Sequence, residues 1–186
     1  MGFLDKFFHK KPAFDQGETD ANPLMTPIEI FARNFTNNGG KFLLAKNDKE
    51  IQILLKAILM EEEKERFFYT DETVKNALLQ ELPHTSNLKD GDIFVSFTEH
   101  LIKEMGGIMI SSIHTDGLSV SDFPKTVVFI ARPTQLVNDL EEGMAIINQR
   151  FKQLNTPPPQ VHTLNHFNEN PEDVYRKNAY LILLHE

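Results

Sequence analysis

Ser111, Ser112, His114 and Asp116 stand together in one short stretch, and they are the residue types of a nucleophile, a base and its orienting carboxylate. Such a triad is defined by geometry and role rather than by nearness in sequence. No G-x-S-x-G elbow holds either serine, so the plainer reading is a polar surface loop. Just upstream, the pattern places Glu99, His100 and Glu104 on one helix, with His100 and Glu104 four apart on a shared face. Two ligands at one spacing fall short of a metal site, and no metal is expected. Glu104 is instead the candidate acid/base, because a carboxylate at a buried helix end acquires a raised pKa. Gly106 and Gly107 follow between that helix and a strand. A glycine there commonly supplies a left-handed turn, and bare backbone also lets an anionic ligand approach closely. The phosphate loop, the dinucleotide fingerprint and the H-E-x-x-H pair are all absent.

Composition narrows the chemistry further. The chain of 186 residues has no cysteine, which excludes a thiolate nucleophile, a Cys–zinc site, a disulfide framework and a Cys-ligated iron–sulfur cluster on these residues. A net charge of −8 argues against nucleic acid, whose binding needs a basic surface. No apolar run approaches the roughly 18 residues of a membrane span, and the N-terminal stretch does not read as a signal peptide. A soluble cytoplasmic protein is expected.

Residues 1–25 read as an arm and linker. Phe3, Leu4, Phe7 and Phe8 share a helical face beside Lys6, Lys10 and Lys11, a pattern that suits an anionic membrane surface but is too short for stable contact. From residue 26 to 186 helices and strands alternate in one domain. Thr26, Pro27 and Glu29 form a capping box opening a helix with Ile28, Phe31, Ala32 and Phe35 inward. Strands are expected at 42–45, 66–70, 93–95, 107–112, 126–131, 161–164 and 180–184. Further helices are expected from Asp48, from Asp71, over 98–105 and over about 134–154, the last burying Leu136, Leu140, Met144, Ile147 and Phe151. Continuous apolar strands between amphipathic helices imply an α/β fold, a mostly parallel sheet with helices on both faces. Ligands of such sheets bind outside the carboxyl ends of strands. That rule gathers Gly106, Gly107, Ser111, Ser112, His114, Ser121 and His166 as candidate ligand-binding residues at one edge, with loop 111–124 at its centre.

Residues 98–112 (TEHLIKEMGGIMISS) resemble the central signature of the LUD-domain family, typified by lactate-utilisation protein C. Residues 123–131 look like that family's proline followed by an apolar strand, and 135–144 (QLVNDLEEGM) look like its acidic helix. The resemblance implies a fold similar to glucosamine-6-phosphate deaminase, ribose-5-phosphate isomerase and the CoA transferases. It also implies a role as an accessory component in L-lactate oxidation beside iron–sulfur partner subunits, with no cofactor in this chain. The alternative is a small-molecule enzyme or binding protein related to phosphosugar isomerases and CoA transferases, taking a small anionic metabolite. The family's C-terminal G-P-S-x-T-A-D-I-E segment and H-G-P turn are missing, so the chain is a shortened or divergent relative.

Overall fold

The computed structural model describes residues 25–167 and 176–185; the N-terminal arm expected over 1–25 lies, but for Met25, outside them. Helix α1 (Pro27–Asn37) opens as the capping box requires, with Glu29 N–H donating to Thr26 Oγ1 at 3.4 Å and Thr26 N–H to Glu29 Oε2 at 2.7 Å. It buries Phe31 and Phe35. Strand β1 (Lys41–Ala45) leads into helix α2 (Asp48–Glu61). Its cap is Asn47 rather than Asp48, since the Asn47 side chain accepts from Glu50 N–H at 3.0 Å while Asp48 begins the helix. Then come β2 (Phe67–Phe68), a short helix α3 (Glu72–Val74) running into a π-turn, β3 (His84–Thr85) and β4 (Ile93–Phe97).

The 98–105 segment is not a helix. It holds strand β5 (His100–Ile102), which turns back on β6 (Gly107–Ser111) as an antiparallel hairpin pairing His100 with Met109 and Ile102 with Gly107. Burial on two sides is the reason. Leu101 packs into the core beneath the hairpin, whereas Ile102 joins Met109 and Ile147 in a separate cluster above it. An extended chain sends neighbouring residues to opposite faces, and that overrides the helix preference of Lys103, Glu104 and Met105.

Helix α4 (Ser112–Thr115) follows, then β7 (Thr126–Ala131). The single helix expected from residue 134 is broken up. Pro133–Gln135 is a 3-10 turn and β8 (Leu136–Val137) a strand, and helix α5 (Leu140–Gln153) starts only where Asp139 accepts from Glu142 N–H at 2.8 Å. Of the apolar stripe expected there, Ile147 is buried, Met144 and Phe151 are partly so, and Leu140 is exposed. Strands β9 (Val161–Leu164) and β10 (Asn178–Leu184) complete the order.

Among the described residues six strands form one parallel sheet in the order β1-β10-β7-β4-β2-β3. This is the α/β architecture read from the sequence. One face carries Ile93, Val95, Val128, Ile130 and Ile182 against α2 and the π-turn. The other carries Phe94, Val127, Phe129, Leu181 and Leu183. Its cover differs from the helices expected: α1 shares it with a second sheet, β8-β5-β6-β9, and α5 packs outside that sheet. The hairpin therefore hangs over the carboxyl end of β4, joined to it by Thr98 and Glu99.

Candidate functional site

Glu99 organises this end of the fold. Its N–H donates to Met109 O at 2.8 Å, as the hairpin continues past His100, and its carboxylate is almost enclosed, with the side chain 4% exposed. Both oxygens are engaged. Ser111 Oγ–H donates to Oε1 at 2.7 Å, and the Arg150 guanidinium, reaching over from α5, donates to Oε2 at 2.8 Å. Burying a carboxylate unpaired would be costly, and these two partners satisfy it.

His114 completes the cluster. Its Nδ1 lies 3.2 Å from Ser111 Oγ and 3.7 Å from Glu99 Oε1. Because Ser111 gives its own proton to the carboxylate, the serine oxygen can only accept from the imidazole. His114 is thereby assigned a proton on Nδ1 and a lone pair on Nε2. Burial pushes its pKa below the ordinary histidine value; Glu99 and Asp71 pull it upward and Arg150 pushes it further down. The neutral form prevails at physiological pH. Thr70 Oγ1 donates to the His114 carbonyl and fixes α4 against the main sheet.

An open cleft of about 500 Å³ lies beside this cluster. Thr98, Glu99, His100, His114, Gln135 and Arg150 contribute polar lining, and Ile113, Phe151 and Leu154 contribute apolar lining. Gln135 ties the floor together, donating through Nε2 to Thr98 O at 2.5 Å and accepting from His100 Nδ1–H on its own carbonyl at 3.2 Å. That leaves His100 Nε2 a lone pair, buried without a partner, which is an unusual state for an enclosed acceptor. Half of the Arg150 side chain remains exposed, its guanidinium carbon 5.0 Å from the Phe151 ring centroid. The cleft thus presents an arginine with spare N–H groups, a neutral histidine acceptor and some apolar surface. Among the described residues no three His, Asp or Glu side chains converge as a metal set.

The arrangement is not a hydrolytic triad. Ser111 has no exposed surface, and the histidine turns the same nitrogen toward serine and carboxylate alike, whereas a triad bridges them through opposite ring nitrogens. Asp116 takes no part; it is exposed and ends α4 in the left-handed conformation, φ 50°.

The residues gathered at one edge in the sequence reading divide between two ends of the hairpin. Ser111 and His114 are at the cleft, with Ser112 beside them, its N–H donating to Gln160 O at 2.8 Å. Glu104, Gly106 and Gly107 lie at the turn, the opposite end of the β5–β6 ladder. Glu104 is exposed there rather than held at a buried helix end. Asn34 of α1 donates to the carbonyls of Lys103 at 2.9 Å and Glu104 at 3.1 Å, and Asn38 donates to that of Met105 at 2.6 Å. Gly106 has φ +57°, and a Cβ on it would come within 2.4 Å of the Asn34–Phe35 backbone. The glycine thus serves the packing of α1. His166 is exposed and belongs to this same end, for Phe167 N–H donates to Asn38 O at 2.8 Å. Ser121 lies in the 3-10 turn Val120–Asp122, donating to Ser119 Oγ at 3.1 Å, and does not line the cleft.

No family model matches the chain, and no curated protein does. Among solved structures it is similar to a DUF162 family protein from Deinococcus radiodurans, with 13% identity and a TM-score of 0.62. That match covers 87% of this chain and 99% of the other. At that identity the likeness is one of fold.

Proposed function

We propose that this chain is a cytoplasmic, cluster-free accessory component of an iron–sulfur assembly that oxidises L-lactate, with the cleft as its ligand site. One coincidence carries the reading. The stretch that resembles the LUD signature, 98–144, is the stretch that supplies Thr98, Glu99, Ser111, His114 and Gln135 to the cleft and its buried network. Support also comes from the fold of the structural neighbour, DUF162 being the LUD-domain family. Electron transfer in such an assembly falls to partner subunits, since these residues include no cysteine to hold a cluster. A small anionic metabolite suits the half-exposed Arg150, whose planar donors match a carboxylate.

Two measurements test the role. Deleting the gene is expected to impair growth on L-lactate, with restoration by the intact gene. A tagged full-length chain is expected to copurify with cysteine-rich, ferredoxin-like subunits. A chain that purifies alone, from a host whose growth on lactate is indifferent to its loss, overturns the proposal.

A further inference from the structure

We infer that the cleft takes a hydroxy-carboxylate bearing an apolar side group, its carboxylate on Arg150 and its hydroxyl donated to Nε2 of His114. The inference rests on the cleft being the ligand site proposed above, and it names the class of ligand. Three features of the site select that class. Arg150 gives one N–H to Glu99 and keeps others for an anion. A singly charged carboxylate fits better than a phosphate ester, because the anion must lie near the Glu99 carboxylate with one guanidinium between them. His114 fixes the second group: with Nδ1–H held by Ser111, its Nε2 accepts, so it pairs with a hydroxyl and opposes a carbonyl oxygen. Volume fixes the third. A cleft of about 500 Å³ whose lining includes Ile113, Phe151 and Leu154 is far larger than a three-carbon acid fills.

Calorimetric titration of the purified full chain near pH 8, where the imidazole is neutral, provides the test. The probes are L-lactate, 2-hydroxy-3-phenylpropanoate, its 2-oxo counterpart and inorganic phosphate. The phenyl hydroxy acid is expected to bind tightest, at least about tenfold tighter than the oxo acid. Arg150→Met should weaken both organic acids, and His114→Gln, whose amide both donates and accepts, should abolish the preference between them. Should that variant fail to fold, acidifying the wild-type chain serves instead. Glu99, Asp71 and Arg150 are the charged groups facing the imidazole. Protonation turns Nε2 into a donor, and the oxo acid should gain on the hydroxy acid. Equal or tighter oxo-acid binding at the higher pH overturns the inference, as do preferred phosphate, indifference to Arg150→Met, or no binding by any probe. The two proposals fail separately. Hydroxy-acid binding by a chain whose deletion leaves growth on lactate intact removes the accessory role alone, whereas a growth defect with no binding removes this inference alone.

Discussion

His114 is the residue whose surroundings make its titration readable. Its pKa is lowered chiefly by burial, so on acidification the unfolded chain takes up this proton before the folded one does. Stability is therefore expected to fall as pH drops from about 6.5 toward the lowered folded value, and to be unaffected by this group above that window. Urea midpoints measured across the range should show the fall, and His114→Gln should flatten it; an unchanged slope would contradict the assignment. The sequence supplied part of this site. Ser111 and His114 were legible because polar residues directly after an apolar strand sit where parallel sheets place ligands. Arg150 was not, because an arginine on an amphipathic helix reads as solvated until a buried carboxylate is seen opposite it. Glu99 was legible as a titratable group and misplaced, since the helical reading set it on one helix with His100 and Glu104, whereas the hairpin brings it to Ser111.

That error belongs to the hairpin. Strands β1, β4, β6, β7 and β10 were legible as apolar runs, and α1 from its capping box, because each signal is local. Strand β5 has three residues and lies among good helix formers, too short for alternation to outweigh propensity. The run His100-Leu101-Ile102, a turn ending in Gly106, and the run from Gly107 together form a hairpin pattern with a glycine-containing loop, and that was the available signal. Clamping by Asn34 and Asn38 makes the turn a rigid joint between α1 and the second sheet. Gly106→Ala should force α1 off the hairpin and cost about 1–3 kcal/mol in urea unfolding. Gly117→Ala also introduces a side chain at positive φ, 75°, but into open space, and should cost only about 1 kcal/mol. Similar losses at the two positions would mean that the contact with α1 contributes little.

Across the whole molecule, one carboxylate ties the helical layer to the sheet at the end remote from the cleft. Glu62, just past α2, accepts from Tyr180 Oη at 2.5 Å, Asn178 at 2.8 Å, Thr126 at 3.1 Å and Lys41 at 3.1 Å, joining β10, β7 and β1. Burial raises its pKa, and the hydrogen bonds of Tyr180 and Asn178 together with the Lys41 charge outweigh that and leave it lowered. The stabilisation is thus present above the ordinary carboxylate value and lost as pH falls through the lowered one. Glu62→Gln should cost about 1–3 kcal/mol near neutrality and remove that acid dependence from the unfolding curve. The sheet that Glu62 anchors has a further property in its strand order. β10, the last of the described strands in chain order, stands between β1 and β7. Translation at about 5–20 residues per second leaves β1 without a sheet neighbour, and β7 with one edge bare, for several seconds after each leaves the ribosome. Those edges are templates for other chains, so assembly is a race between the arrival of residue 178 and capture by a neighbouring nascent chain. Ribosome-held chains stopped before that residue should be cut readily by protease, with resistance appearing only once β10 has cleared the exit tunnel.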